Sequence, residues 1–156
     1  MNTNINILYY INENEDSFLN AFKSPEFRLR RANRLADLST IAENFSLSEL
    51  NSTILIEVTQ ENYKETIQVA KSIKNNWYTR NLAIIFILSD NDPKIVKTAL
   101  DLGINDCYIS PIPFEDLKER ITFLNTFAIL KSRISNAPAL LDKDYSIPIV
   151  KRALDI

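Results

Sequence analysis

Apolar and polar positions form two kinds of pattern along the chain. Short, nearly continuous apolar runs rich in β-branched residues predict five strands, at residues 4–11, 26–32, 52–58, 82–88 and 106–110. Apolar residues at helical spacing predict five helices between and after them, near residues 18–22, 35–45, 63–77, 92–103 and 113–134. Strict alternation of strands and helices predicts an α/β fold with a doubly wound, five-stranded parallel sheet.

The helix at 92–103 carries clear signals at both ends. Asp92 is suited to cap its first turn, and Pro93 to occupy the first helical position. Gly103 is the only glycine in the chain. A helix that turns back into a strand within two residues needs a left-handed residue at its end, and glycine adopts that conformation without a Cβ penalty.

Composition excludes several classes of function. The chain has no histidine and one cysteine, so the commonest general base and a thiolate metal cage are both missing. A net charge of -2 gives no electrostatic basis for binding nucleic acid, and the arginines at 28, 30, 31 and 34 are interpreted as a solvated patch. A single glycine excludes a glycine-rich nucleotide loop. We therefore expect a cytoplasmic domain without cofactor or metal, because neither a signal peptide nor a membrane-spanning run is visible.

The segment GINDCYISPIPFEDL, at 103–117, and the preceding IIFILSDND together resemble the receiver domain of two-component response regulators. The resemblance covers about residues 5–131 and implies a flavodoxin-like (CheY-like) fold with an extended last helix. It also implies a cis peptide bond between Ser110 and Pro111. Receivers transfer a phosphoryl group from a histidine kinase to an aspartate, a reaction that needs Mg²⁺ and a positioned cation.

The residues that this resemblance assigns to the phosphorylation pocket are largely replaced. The acidic pair after the first strand falls on Ile11 and Asn12, or on Asn12 and Glu13, and the acceptor aspartate falls on Glu57. Ser89 keeps the hydroxyl, whereas the lysine position is Ser110. The resemblance therefore predicts a pseudo-receiver over residues 1–134, a regulatory module without enzymatic activity. Glu57 is either a fixed mimic of the phosphorylated state or an ordinary strand-end carboxylate.

The signalling aromatic of the family falls on Cys107, with Tyr108 adjacent. Without a histidine to activate it, Cys107 is predicted to be a buried structural thiol. The last helix has a core-facing stripe and a second apolar set, formed by Phe123, Phe127, Leu130 and Ile134. This second set predicts an interaction face for a homodimer, another protein or a following domain; the alternative is a wide core stripe.

Residues 135–156 are predicted to be a linker leading into a further domain. The segment DYSIPIVKRALDI resembles the start of bacterial membrane sugar transferases that initiate polysaccharide synthesis, through Tyr145, Pro148, Lys151, Arg152, Asp155 and Ile156. This resemblance implies that a membrane segment and catalytic residues follow; the alternative is an ordinary basic helix start. Two other functions stay open: a response regulator, stand-alone or fused to an output such as a cyclic-dinucleotide synthase, and a true phosphoacceptor that uses Glu57.

Overall fold

The computed structural model describes residues 4–135. Its strands are β1 (Ile5–Tyr10), β2 (Phe27–Arg31), β3 (Thr53–Val58), β4 (Ala83–Leu88) and β5 (Asp106–Ile109). Its helices are α1 (Glu15–Ala21), α2 (Leu35–Glu43), α3 (Tyr63–Asn75), α4 (Pro93–Leu102) and α5 (Phe114–Ser135), with a 3-10 turn at Leu47–Glu49. The predicted alternation of strands and helices is confirmed.

The five strands form one parallel sheet in the order β2-β1-β3-β4-β5. This is the strand order of flavodoxin-like proteins, which place their functional sites at the carboxyl ends of the strands. Glu57 lies near the end of β3, opposite Ile87 of β4. The ends of β1, β3, β4 and β5 therefore bring the predicted pocket residues to one edge of the sheet.

The sheet is buried on both faces, as expected for a parallel sheet covered by helices. One core lies on the side of α2, α3 and α4 and includes alternate residues of the central strands: Ile54, Ile56, Ile84 and Phe86. The other core lies on the side of α1 and α5 and includes Phe18, Phe22, Leu117 and Ile121. Because the central strands contribute to both cores, their sequences are apolar at nearly every position.

The predicted ends of α4 are confirmed. The Asp92 carboxylate accepts the backbone N–H of Lys94 at 3.0 Å, and Pro93 is the first residue of the helix. Gly103 closes the helix in the left-handed conformation, with φ of +84°. The peptide bond between Ser110 and Pro111 is cis, as the family resemblance implied.

The prediction that the third helix extends to residue 77 is wrong. The helix ends at Asn75, and Trp77 lies in the following turn with 79% of its surface exposed. The Asn76 side-chain oxygen accepts the backbone N–H of Tyr78 at 2.8 Å, a local bond that favours a turn over another helical residue. The helical spacing of apolar residues continues to Trp77, although the backbone leaves the helix after Asn75.

By its internal contacts the chain divides into two compact units, residues 1–125 and residues 126–156. The predicted domain boundary near 134 stays a prediction, and the predicted linker from 136 onward lies outside the described residues. Among the helices of residues 4–135, none combines the length and the apolar character that crossing a bilayer requires.

Candidate functional site

The centre of the candidate pocket is the Glu57 carboxylate, which is 2% exposed. One of its oxygens, Oε1, accepts the backbone N–H groups of Asn12 at 2.7 Å and Glu13 at 2.9 Å. The other, Oε2, accepts the backbone N–H of Asn14 at 3.2 Å and the Asn14 side-chain amide at 2.7 Å. The loop after β1 is thus wrapped around a carboxylate that comes from β3.

Asn14 connects this carboxylate to the end of β5. Its Nδ2 donates to Glu57 at 2.7 Å and to the Ser110 hydroxyl at 3.3 Å. Ser110 is held in turn by its backbone N–H, which donates to the carbonyl of Leu88 at 3.0 Å. One side-chain amide therefore joins the tips of three strands: β1 through its own loop, β3 through Glu57, and β5 through Ser110.

Arg31, at the end of β2, holds the same loop from the other side. Its guanidinium donates to the carbonyl of Ile11 at 2.7 Å, to Glu15 Oε2 at 2.8 Å and to Asn12 Oδ1 at 2.9 Å. The ion pair with Glu15 is about one-third exposed on both sides. The sequence neighbours of Arg31 suggested that it belongs to a solvated patch, and it does not. Arg28, Arg30 and Arg34 are exposed.

Tyr9 completes the group around Glu15. Its hydroxyl donates to Glu15 Oε2 at 3.1 Å, and burial, with a smaller effect of the neighbouring carboxylate, raises the pKa of Tyr9 above its usual value. The phenol thus stays protonated and continues to donate. The Glu15 carboxylate receives one neutral and one charged donor from two different strands.

The predicted pocket residues differ in what they contribute. Asn12 and Glu13 act through their backbone N–H groups, and the side chain of Glu13 is exposed. Ser89 is half-buried at the end of β4, where its backbone N–H donates to the carbonyl of Val58 at 3.1 Å. The structure thus brings Asn12, Glu13, Glu57 and Ser110 into one hydrogen-bonded group; no contact described here joins Ser89 to it.

The turn after β3 holds the backbone of Glu57 through a side-chain hydrogen bond. Asn62 donates through Nδ2 to the carbonyl of Glu57 at 2.9 Å and accepts the backbone N–H of Thr59 at 2.8 Å. Asn62 N–H donates back to the Thr59 hydroxyl at 3.1 Å. The backbone that carries Glu57 is therefore positioned by side chains of its own loop, independently of the β1 loop.

Asn14, Arg31 and Asn62 are not among the predicted pocket residues, although each contacts Glu57 or the loop around it. The only signal for Arg31 is its position at the end of an edge strand, next to a loop with several carbonyl and carboxylate acceptors. For Asn14 and Asn62 the signal is weaker: each is an asparagine just after a strand, a position where side-chain amides often bond to backbone groups.

Cys107 lies on β5. Cys107 is half-buried against the core, and burial, with a smaller effect of Asp106, raises the pKa of its thiol. This agrees with a structural thiol. Asp106 forms an ion pair with Arg120 of α5, and the Arg120 guanidinium lies over the Phe123 ring at 5.5 Å from its centroid.

The predicted interaction face of α5 is partly exposed. Phe123 is 56% exposed, Phe127 51% and Leu130 50%, while the side chain of Ile134 lies outside the described residues. Whether this face binds a partner stays a prediction.

Among the described residues, Glu57 is the buried carboxylate at the strand tips. Within residues 4–135, no group of three or more histidine, cysteine, aspartate or glutamate side chains is arranged to hold an ion. Mg²⁺ is held by carboxylates and other oxygens in near-octahedral geometry. The one central carboxylate here already accepts four N–H groups.

Comparison with solved structures identifies the fold. A putative response regulator from Chloroflexus aurantiacus J-10-fl matches with a TM-score of 0.64 and 15% identity, over 80% of this chain and 99% of that one. A signal receiver domain of a two-component histidine kinase from Clostridium thermocellum matches with a TM-score of 0.63 and 18% identity, over 80% and 98%. The receiver domain of a modulated diguanylate cyclase from Desulfovibrio desulfuricans G20 matches with a TM-score of 0.64 and 14% identity, over 82% of this chain and 98% of that one.

The chain therefore has the fold of response-regulator receiver domains, a five-stranded parallel flavodoxin-like sheet. At 14–18% identity these likenesses establish the fold alone. No protein-family model and no curated protein matches the sequence.

Proposed function

We propose that this chain is a pseudo-receiver: a regulatory domain that acts through protein contacts and does not undergo phosphorylation. The observation that supports this most strongly is the state of Glu57. A carboxylate has about four acceptor positions on its two oxygens. All four are used here, by three backbone N–H groups and one side-chain amide.

A carboxylate in this state is a poor phosphoacceptor. To attack a phosphodonor, an oxygen of Glu57 would have to give up one or more charge-assisted hydrogen bonds inside a 2% exposed site. Each such bond stabilises by about 1.5–3 kcal/mol. The loop after β1 would also have to move, because its backbone supplies three of the four donors.

The family lysine that would help to neutralise a transferred phosphoryl group is replaced as well. Developing charge on the phosphoryl oxygens needs a divalent ion or a positioned cation. Ser110 stands where the family lysine is expected, and its hydroxyl accepts from Asn14. Arg31, a cation at the end of β2, already donates to Ile11, Asn12 and Glu15.

We further propose that the domain forms the cytoplasmic N-terminal part of a membrane sugar transferase. This rests on the tail at residues 145–156, with its Lys151–Arg152 pair. A lysine–arginine pair just before an apolar segment suits the cytoplasmic headgroup layer. The coding sequence that follows residue 156 tests this: an apolar segment of about 20 residues supports it, and a polar or catalytic output domain contradicts it.

A second candidate is a response-regulator domain with another output. The receiver domain from Desulfovibrio belongs to a modulated diguanylate cyclase, so this fold occurs in a protein with such an output. In this case too, the hydrogen bonds that the protein's own N–H groups make to the Glu57 carboxylate favour control by protein contacts. The interaction face of Phe123, Phe127, Leu130 and Ile134 is the proposed contact surface, and analytical ultracentrifugation of Phe123→Ser against the parent chain tests whether it forms a homodimer.

Phosphorylation is tested directly with a small phosphodonor. The chain is incubated with acetyl phosphate and Mg²⁺ beside a receiver that retains its acceptor aspartate, and both are read by intact mass. We expect no adduct of about 80 Da, the mass of one phosphoryl group, on this chain. A stable adduct that disappears in Glu57→Gln and persists in Glu61→Gln, an exposed neighbour, would overturn the proposal.

A further inference from the structure

Two large apolar side chains are almost fully exposed at the edge of the sheet opposite the pocket. Leu47 is 80% exposed and Trp77 is 79% exposed, the highest values among the large apolar residues that the structure describes. Leu47 lies in the connection from α2 to β3, and Trp77 in the connection from α3 to β4. Thr53 and Ala83, which begin these two strands, are register partners, so the two connections meet side by side.

Hydrogen bonds and ring packing hold both connections in place. The Tyr78 hydroxyl donates to the carbonyl of Phe45 at 2.5 Å, which joins one connection to the other. The Trp77 ring packs edge-on against Tyr78, with centroids 5.6 Å apart. On the other connection, the Glu49 carboxylate accepts the backbone N–H of Ser46 at 2.8 Å. Leu47 and Trp77 are thus presented to solvent by ordered turns.

The first compact unit also ends at this edge. It closes at residue 125, and the Asn125 side-chain amide donates to the carbonyl of Asn51 at 3.5 Å, just before β3 begins. α5 follows β5 and returns across the sheet toward the amino ends of the strands, as helices do in parallel α/β units. The chain therefore leaves this unit at the end of the sheet that also carries the two exposed apolar residues.

We propose that this surface, formed by Leu47, Trp77, Tyr78 and Arg80, docks onto the headgroup layer of a lipid bilayer. The inference rests on the proposed function, in which a membrane segment follows the tail. Tryptophan is enriched at membrane–water interfaces, where its apolar ring with a polar edge fits the headgroup level. Arg80 is exposed in the same turn and can reach lipid phosphates with its guanidinium.

A bilayer fits this surface better than a protein partner does. A stable protein interface buries about 800 Å² on each side, and two protruding side chains with an arginine are too few for that. A weak membrane contact is sufficient when another segment of the same protein holds it at the bilayer, because tethering raises the effective concentration of the second contact. The surface would then set how the domain sits on the membrane.

Trp77 provides its own probe, because it is the only tryptophan in the chain. The 156-residue chain is titrated with phosphatidylcholine vesicles, with and without phosphatidylglycerol. We expect a blue shift of the Trp77 emission and quenching by brominated acyl chains. Leu47→Ser should lower the apparent partition constant about fivefold, because an exposed leucine then no longer gains from burial. Ile109→Ser, at the opposite edge and 38% exposed, should leave the constant unchanged.

The proposal is overturned by an emission spectrum that does not respond to millimolar lipid. It is equally overturned if Leu47→Ser binds vesicles as well as the parent chain, or if Ile109→Ser loses as much. A blue shift that depends on protein concentration without lipid would assign the surface to a second copy and also contradict it. These readouts do not depend on Glu57 or on the sequence after residue 156, so a failed vesicle titration with no phosphoryl adduct rejects the membrane surface alone.

Discussion

Replacing Glu57 by glutamine removes the charge at the centre of the pocket while keeping its size. The one remaining side-chain oxygen can keep the N–H groups of Asn12 and Glu13. The amide group that replaces the second oxygen then faces two donors of Asn14. The Asn14 side chain can rotate to offer its oxygen, but the Asn14 backbone N–H stays a donor. We therefore expect one buried N–H without an acceptor, which lowers the free energy of unfolding by about 1–3 kcal/mol. The remaining bonds go to a neutral oxygen and are weaker, which lowers it by about 1 kcal/mol more.

The expected loss in the free energy of unfolding is therefore about 2–4 kcal/mol, which leaves a typical domain folded. Urea unfolding followed by far-ultraviolet circular dichroism measures it, since Trp77 is already exposed in the folded chain. The matched control, Glu61→Gln, changes an exposed carboxylate four residues away and should stay within about 0.5 kcal/mol of the parent. Equal stability of the two variants would refute the reasoning that the carboxylate holds the loop.

Three further predictions concern the surroundings of the pocket. Arg31→Ala should lower the unfolding free energy by about 1–2 kcal/mol in the same assay, because bonds to the loop after β1 and to Glu15 of α1 are lost at a site about one-third exposed; exposed Arg28→Ala should change it by less than about 0.5 kcal/mol. Gly103→Ala should cost about 1 kcal/mol through the left-handed conformation alone, since no atom lies within 4 Å of the added Cβ; a loss above about 3 kcal/mol would contradict this. The Cys107 thiol should react with a disulfide reagent more slowly at mildly alkaline pH than in the unfolded chain, because burial raises its pKa; equal rates would contradict this.

The fold was predictable because its signals are local and repeated. The apolar run of β4 is buried on both faces, and the Asp92–Pro93 start and Gly103 end of α4 follow from capping and backbone chemistry that act over a few residues. The error at Trp77 has the same origin. A helical stripe extended by one turn looks identical in sequence whether the last member is buried or lies in a turn fixed by Asn76.

The pocket was only partly predictable, because its bonds join residues far apart in the chain. Glu57 and Asn14 are separated by 43 positions, and Asn14 and Ser110 by 96. Spacing within a motif assigns Glu57 to the strand end, but it does not say that backbone N–H groups of the β1 loop will occupy the carboxylate. Arg31 was misjudged for the same reason: its neighbours in sequence are exposed, and its partners lie on another strand.

The protein's own N–H groups occupy the Glu57 carboxylate, and we infer that no place remains there for a divalent ion. Amide NMR of the ¹⁵N-labelled chain during a Mg²⁺ titration tests this at the atoms concerned. We predict that the amide resonances of Asn12, Glu13 and Asn14 show no saturable shift. A saturable shift of these three resonances that is lost in Glu57→Gln would contradict the claim.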